Sequence, residues 1–411
     1  MNDNEIEHHL NDPTQLERLY RQSPQAFERQ FNHCFEKDPS NQILQVWYAR
    51  LNYRASAAVK RSIVPMLWLC ALASIIMKLP VMFDIDESWF FERFLSLAVA
   101  LPLAFYFCGS SLKQTPSKVV LAMLALFTLY FALIPDNSNS DSLIMAHIHG
   151  PLVLLSVIGL SFVAPKWRDA EQRLNYVRYL GEMLIYSVLI LLGGMVLTGM
   201  TLGLFNVLGW DIDTWYMDYV VVSGLVSAPI VATYVYDQIL NGQTKFATVL
   251  SNVFSPLFLV TVSVYLLASF GEGSNPYLDR DFLIFFNGLM LVVWAITVFS
   301  ISGKNGSKSV SKMDYVNIAL IAVTLIINTI ALSAIVYRWW EFGMSFNRVV
   351  VTGANVLIFV HLCLILKAYL GYLRGTKSSA SLSNVIAQYL PVYSAWSAVV
   401  VFVLPVLFRF G

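Results

Sequence analysis

The chain has 411 residues, of which 57% are hydrophobic and 13% charged, and its formal net charge is +1. Soluble domains are about a quarter charged, so this composition excludes an ordinary soluble protein, and the near-neutral charge argues against a nucleic-acid partner. The spacing of the four cysteines matches neither a disulfide framework nor a zinc site. No metal and no cofactor is predicted.

Residues 1–60 are predicted to form a separate cytoplasmic helical segment, and residues 61–411 a transmembrane domain. A capping side chain followed by proline, which suits the first position of a helix, occurs at Asp12-Pro13, Ser23-Pro24 and Asp38-Pro39. Apolar residues follow at helical spacing in three stripes: Leu16, Leu19 and Tyr20; Phe27, Phe31 and Phe35; and Ile43, Val46, Trp47 and Leu51. We expect three short helices that pack on one another.

Two roles are open for this N-terminal segment. It is either a small structural cap on the cytoplasmic face of the membrane or a module that docks a cytoplasmic protein partner. The acidic, polar start of the chain lacks the basic and apolar regions of a cleavable signal peptide. The first apolar block is therefore expected to insert as an uncleaved signal anchor.

Eleven apolar blocks follow, each about as long as the roughly 20 residues that a helix needs to cross a bilayer. The predicted spans are 62–83, 93–111, 117–135, 142–164, 177–205, 216–237, 247–270, 281–302, 315–336, 348–370 and 388–408. The fold class predicted from them is all-α, a polytopic helical protein whose first partner is the lipid bilayer.

Charges in the loops predict the orientation. Lys and Arg concentrate in every second loop, as in 166–178, and acidic residues in the alternate loops, as in 211–218. Because basic loops stay on the cytoplasmic side, the N-terminus is predicted inside and the C-terminus outside. A multi-pass protein of a bacterial inner membrane is the expected localisation.

Few ionisable or amide groups lie within the spans, where such groups are costly and often functional. We group five of them as a candidate polar pathway: His147, His149, Asn287, Asn355 and His361. The alternative is that they are hydrogen-bonding groups that hold helices together. Residues two positions apart on a helix point about 200° apart, so the first two histidines are not expected to share a metal.

Further features of the spans have structural explanations. Arg178 and Glu182 are four residues apart, and a local ion pair is predicted between them. Asp237 is close enough to a span end to reach the interface. Small residues allow close helix contact, so the glycine-rich fifth span predicts tight packing within the protein or, as an alternative, dimerisation; these glycines are Gly193, Gly194, Gly199 and Gly203.

A second candidate site lies in a predicted outer loop that contains Arg338, Glu341 and Arg348. Two basic residues and a carboxylate at the membrane surface would suit an anion or a lipid headgroup. The alternative, which we favour, is a salt-bridged turn that fixes the entry of the next helix, with Gly343 allowing a tight bend.

Three stretches carry a family resemblance: "SNVFSPLFLVTVSVYLL" from Ser251, "IVYRWWEFGMSFNRVVV" from Ile335 and "GLFNVLGWDI" from Gly203. Over residues 140–372 the chain resembles the bacterial membrane-protein family called domain of unknown function 4153. That family tends to show an Arg, then Glu-aromatic-Gly, then an Arg opening the next helix, matched here by Arg338, Glu341 to Gly343, and Arg348. The resemblance implies a polytopic bacterial inner-membrane protein and no catalytic residues.

Two functions remain open. No HExxH, GxSxG, Walker or dinucleotide-binding pattern is present, so an enzyme is not favoured. The first hypothesis is transport of a small or amphipathic solute, and a water-accessible cavity that reaches His361 would favour it. The second is a structural or signalling component that binds a cytoplasmic partner, which an exposed apolar face on the N-terminal helices would favour.

Overall fold

The computed structural model of the protein describes residues 5–10, 12–51, 62–109, 115–137, 139–164, 166–271, 280–304 and 310–410. It divides into two units, Met1–Arg61 and Ser62–Gly411. The described residues of the first unit contain four short helices: α1 Glu5–His8, α2 Pro13–Gln22, α3 Pro24–Lys37 and α4 Gln42–Leu51.

Two of the three predicted helix starts in the first unit are correct, and the third is wrong. The Asp12 carboxylate accepts hydrogen bonds from the backbone N–H groups of the first turn of α2, and Ser23 precedes α3. Asp38, however, binds the Ser40 hydroxyl at 2.7 Å and forms a turn. The side chain of Asn41 caps α4 instead, by accepting the N–H groups of residues 43 and 44, because Asp38 is already engaged in that turn.

The apolar stripes of the first unit form its core. The buried side chains come from all four helices and include Ile6, Leu16, Phe27, Phe31, Leu44 and Trp47. The third predicted stripe is wrong in one position, since Val46 is 68% exposed and Leu44 is buried in its place. Arg50 lies 2.6 Å from the Glu17 carboxylate and joins α4 to α2. Hydrogen bonds from Arg50 and Arg21 lower the pKa of that carboxyl.

The second unit is all-helical in its described residues, and eleven of its helices are long and apolar enough to cross a membrane. This confirms the predicted fold class. The helices are α5 Ile63–Phe83, α6 Glu87–Cys108, α7 Thr115–Leu133, α8 Asp141–Val163, α9 Ala170–Val207, α10 Asp213–Ile239, α11 Phe246–Gly271, α12 Arg280–Ser302, α13 Lys312–Phe342, α14 Phe346–Leu373 and α15 Ser379–Leu407.

Several helices begin earlier than their apolar blocks. The start of α6 lies six residues before the predicted position 93, and that of α9 seven residues before position 177. In both cases an aspartate caps the helix: Asp86 accepts the N–H of Trp89 at 2.7 Å, and Asp169 that of Glu171 at 3.0 Å. A capped polar turn thus precedes the apolar span, and hydropathy alone does not register it.

Two helices contain π-helical turns, which often occur at functional sites. In α10 they are Tyr216–Val221 and Val235–Ile239, and in α15 the segment Val399–Val403. The second of these turns carries Asp237, which lines the cavity described below. Proline interrupts the hydrogen-bond ladder between the two π segments of α10, at Pro229.

The buried apolar side chains of the second unit form two groups of helices. The first group is α5 to α8 with α10, and Val401 near the end of α15 also packs in it. The second is α11 to α15. Its buried side chains form two clusters, and α12 and α13 contribute residues to both. The first half of α9 joins the groups, since Tyr176 and Tyr179 pack in the first while Leu174 and Val177 pack in the second.

The glycines of α9 do not pack as predicted. A Cβ built on Gly193, Gly194, Gly199 or Gly203 would meet no atom within 4 Å, so the prediction of tight packing within the protein is wrong for the part of the chain that the structure describes. Close helix contact occurs instead at positions such as Gly353 of α14, where a Cβ would overlap the Trp396 ring of α15. The glycine-rich half of α9 lies outside both helix groups because no residue of α9 after Ser187 is buried.

Candidate functional site

The structure separates the residues of the predicted polar pathway. His147 and His149 lie on α8, in the first helix group. The His147 ring packs 5.6 Å from the Phe131 ring, and His149 Nδ1 lies 2.9 Å from the Met145 carbonyl oxygen of its own helix. Neither contact links them to the other three residues, which lie on α12 and α14 in the second group.

Asn287, Asn355 and His361 all belong to the contact between α12 and α14. Asn355 Nδ2 donates to Asn287 Oδ1 at 2.9 Å, and Trp294 Nε1 of α12 donates to His361 Nδ1 at 3.1 Å. Asn355 and His361 are six residues apart, so the sequence suggests different faces, yet both contact α12. Both are almost completely buried, with exposed fractions of 2% and 0%.

The outer-loop residues lie where α13 ends and α14 begins. Arg338 and Glu341 belong to the last turns of α13, and Gly343, with φ of +73°, follows the helix. The Arg348 guanidinium donates to the Gly343 carbonyl oxygen. This bond holds the turn between the two helices and agrees with the turn-fixing interpretation of this site.

A larger polar site, which the sequence indicates only weakly, lies where the two helix groups meet at the first half of α9. It is a cavity of about 520 Å³, which we call the polar chamber. Its wall comes from α6, α8, α9, α10, α11, α12 and the segment before α11: Phe107, Phe162, Asn175, Arg178, Tyr179, Glu182, Tyr236, Asp237, Gly242, Gln243, Thr244, Lys245, Ala247, Thr248, Ser302 and Gly303. By the charge rule this is the predicted cytoplasmic end of the helices.

Glu182 fixes the start of α11 from inside the chamber wall. Its carboxylate accepts the backbone N–H of Ala247 at 2.9 Å and the hydroxyl of Thr244 at 2.8 Å. The side chain is part of α9 and is 2% exposed. A carboxylate at a helix N-terminus satisfies free N–H groups and interacts favourably with the helix dipole. Glu182 therefore acts as a cap supplied by another helix.

The predicted ion pair of Arg178 with Glu182 is wrong. Arg178 Nε donates to the Ser302 carbonyl oxygen of α12 at 2.6 Å, and Nη1 donates to Asn175 at 2.9 Å. The two side chains therefore have different partners although they share a helix face. Tertiary contacts replace the local pair, since α12 engages Arg178 and the start of α11 engages Glu182.

The second carboxylate of the chamber is also engaged. Asp237 Oδ2 accepts the Tyr106 hydroxyl at 2.7 Å and the side-chain amide of Gln238 at 2.6 Å. Lys245 is exposed, and its ammonium group has no hydrogen bond or ion pair with any residue that the structure describes. The chamber therefore offers an ammonium group to a ligand, while both of its carboxylates already accept protein donors.

The sequence contains weak signals for this chamber. Glu182 is a carboxylate one turn inside a span, and Asp237 lies at the end of another. Each has a simple explanation when it is considered alone, and only the fold brings them to one cavity. Comparison of the chain with family models, with curated proteins and with solved structures finds no match. The resemblance to domain of unknown function 4153 therefore stays a prediction.

Proposed function

We propose that this multi-pass membrane protein transports a small solute that carries an anionic group, and that the polar chamber is where the solute binds from the cytoplasmic side. The observation that supports this proposal is the chamber itself, a cavity of about 520 Å³ with charged walls at the junction of two helix groups. Ligand sites in helical proteins are commonly cavities of about 300–1,000 Å³ between helices.

Two cations and two carboxylates line the chamber, and its unengaged ammonium group, rather than its net charge, favours an anionic group on the solute. Glu182 and Asp237 accept two hydrogen bonds each from protein donors. Lys245 is free of such partners among the described residues, and Arg178 contributes a second positive charge to the wall. Opposite charges attract strongly in a partly desolvated cavity, so a carboxylate or phosphate group of the solute suits these two side chains.

His361 is not the centre of this proposal. Its side chain is completely buried, and it is absent from the wall of the chamber. The solute site therefore lies nearer the predicted cytoplasmic face than the five residues of the candidate polar pathway suggest.

The docking hypothesis receives less support from the first unit. The aromatic and aliphatic stripes that suggested an exposed face pack on one another in its core. Val46 and Tyr48 are exposed, but the Tyr48 ring stacks on Phe35 at 4.4 Å. A cytoplasmic protein partner for residues 1–60 stays a prediction.

Thermal stabilisation of the purified full-length protein by small carboxylates, phosphate esters and amino acids tests the transport proposal. A bound anionic solute raises the melting temperature. Lys245→Glu, which places a like charge in the chamber, is expected to weaken the binding at least about tenfold, or about 1.4 kcal/mol. Uptake of the same solute into proteoliposomes should fall in parallel.

Lys166→Glu is the matched control for this experiment. Lys166 is exposed and is also at a predicted cytoplasmic loop, but it does not line the chamber. The same charge change there should leave binding and uptake within about twofold of the original protein, since exposed charges interact weakly over distance. Equal losses in the two variants, or stabilisation by none of the solutes, would contradict the proposal.

A further inference from the structure

A second polar feature runs through the second helix group, away from the chamber. Asp314, Asn317, Thr324 and Asn328 of α13 are spaced by three, seven and four residues, so they lie on one face of the helix. All four are buried, with exposed fractions between 0% and 2%. At 1.5 Å per residue this face extends for about 21 Å, which is roughly two thirds of the hydrocarbon thickness of a bilayer.

The inner part of this face is a hydrogen-bonded layer. Asn317 Nδ2 donates to Ser300 Oγ of α12 at 2.8 Å and lies 3.3 Å from the Tyr369 hydroxyl of α14. Ser300 in turn donates to Asn252 of α11 at 2.8 Å. Beyond this layer, at the end of the helix, Lys304 pairs with the buried Asp314.

The middle layer is centred on His361. Its Nδ1 accepts the Trp294 N–H and lies 2.9 Å from the Tyr393 hydroxyl of α15, while the Tyr389 ring stacks on the imidazole at 4.3 Å. An indole nitrogen can only donate, so Nδ1 carries no proton and the neutral ring carries its proton on Nε2. These three aromatic side chains are the groups that face His361 by hydrogen bond or ring contact among the described residues.

The outer layer consists of asparagines. Asn328 Nδ2 lies 3.3 Å from the Asn355 carbonyl oxygen, and Asn355 Nδ2 donates to Asn287. The helices that carry the three layers, α12, α13 and α14, pack against one another in pairs. We call their shared polar residues the buried polar column: Asn317, Ser300, Thr297, His361, Asn328 and Asn355.

Each layer contains a buried polar atom that no described residue of the protein bonds. These atoms are Asn317 Oδ1 in the inner layer, Thr297 Oγ1 and His361 Nε2 in the middle, and Asn328 Oδ1 in the outer layer. An unsatisfied buried polar group costs about 1–3 kcal/mol. Four such costs in one column of residues require an explanation, and internal water is the usual partner of such groups.

The geometry points to a chain of internal water molecules in the buried polar column, oriented from its centre. The Nε2–H of His361 donates at the middle, whereas the amide oxygens of Asn317 and Asn328 only accept at the two ends. Water beside His361 accepts from Nε2 and directs its hydrogens outward, toward both asparagines. Such opposed orientation interrupts proton hopping, so the column is hydrated but does not conduct protons.

Thr297→Val tests the hydration directly, since valine keeps the shape of threonine and removes only the hydroxyl. If water binds that hydroxyl, the melting temperature of the purified protein should fall by about 1–3 °C. Thr324→Val is the control, because the equally buried Thr324 hydroxyl donates to the Leu320 carbonyl oxygen of its own helix at 2.8 Å. It should change the melting temperature by less than about 1 °C. A melting temperature that is unchanged or raised in Thr297→Val would overturn the inference. Removal of a buried hydroxyl that has no partner and no water does not destabilise the protein.

A thiol test is independent of stability. In a background without the native cysteines, Thr297→Cys should react with methyl methanethiosulfonate at least about tenfold faster than Val293→Cys, because thiolate formation needs water. Val293 lies one turn away on α12 and is 0% exposed in an apolar cluster. Equal protection of the two cysteines would contradict a hydrated column.

Proton flux tests the orientation of the chain. Proteoliposomes that contain the protein should show no more voltage-driven proton uptake, measured with an internal pH dye, than protein-free liposomes. Proton uptake above the level of protein-free liposomes, if the Asn328→Leu variant abolishes it, would overturn the opposed orientation of the water chain. None of these measurements involves a solute, so their outcomes are independent of the transport proposal.

Discussion

At the scale of single residues, the clearest feature is a carboxylate that caps a helix to which it does not belong. A cap normally comes from the residue just before its helix. Glu182 instead reaches from α9 and accepts the N–H of Ala247 in the first turn of α11. The bond ties two helices that both line the polar chamber, so the position of the chamber wall depends on this one side chain.

Glu182→Leu is expected to destabilise the protein by about 1–3 kcal/mol, because the Ala247 N–H and the Thr244 hydroxyl lose a buried acceptor. Glu182→Gln keeps one acceptor oxygen and should cost less. The measurement is the free energy of unfolding in mild detergent. Glu171→Leu is the control, since Glu171 is exposed in the first turn of the same helix. A loss in Glu171→Leu as large as that in Glu182→Leu would argue against the capping role.

Residue-level predictions from the sequence were correct for Asp12 and wrong where the structure supplies a different partner, as at Asp38 and Arg178. Asp12 caps the helix that begins one residue later, and the sequence shows it directly. The four-residue spacing of Arg178 and Glu182 predicted a pair that does not form, since their partners lie on α12 and α11. The sequence does not distinguish Asn317 from the other asparagines, because its burial depends on how the helices pack.

At the scale of elements, glycines in the second half of α9 and in α14 differ in whether another helix packs closely against them. The four glycines in the second half of α9 have open space beside them, whereas Gly353 of α14 receives the ring of Trp396 from α15. Their sequence patterns do not reveal this difference. The cluster of glycines on α9 has the spacing that is typical of a packed interface, whereas Gly353, one of several glycines that do make close contacts, lies in no such pattern.

Gly353→Ala is expected to lower the stability of the protein by about 1–3 kcal/mol, the usual range for overpacking. The added methyl group would overlap the Trp396 ring, so α14 and α15 must move apart. Gly199→Ala is the matched control and should cost nothing, or should stabilise by up to about 1 kcal/mol through helix propensity. Thermal unfolding of the two variants distinguishes the cases, and equal melting temperatures would refute the close-contact argument.

At the scale of the whole molecule, hydropathy was enough to predict the number of spans. A helix in lipid must satisfy its own backbone hydrogen bonds, so eleven apolar blocks became eleven helices. The division of those helices into two groups was not predictable, since it depends on which side chains meet. The orientation in the membrane still rests on the loop charges alone.

Cysteine labelling in intact cells that produce the protein tests that orientation. In a background without the native cysteines, Asp211→Cys should react with a membrane-impermeant maleimide, because the loop before α10 is predicted outside. Thr376→Cys, between α14 and α15, should react only after the cells are permeabilised. Both positions are exposed, so accessibility within the protein is matched. The reverse pattern would invert the topology and would place the polar chamber on the outer face.

Helix α9 has 38 residues, which at 1.5 Å per residue gives about 57 Å. The hydrocarbon layer of a bilayer is only about 30 Å thick, so α9 must tilt or project into the headgroups. Its second half has no buried residue to hold it at a fixed angle. We therefore expect a thinner or thicker membrane to change the inclination of this second half before that of the packed helices. The first half of α9 carries Glu182. A change in the tilt of α9 with membrane thickness is therefore expected to move the wall of the chamber.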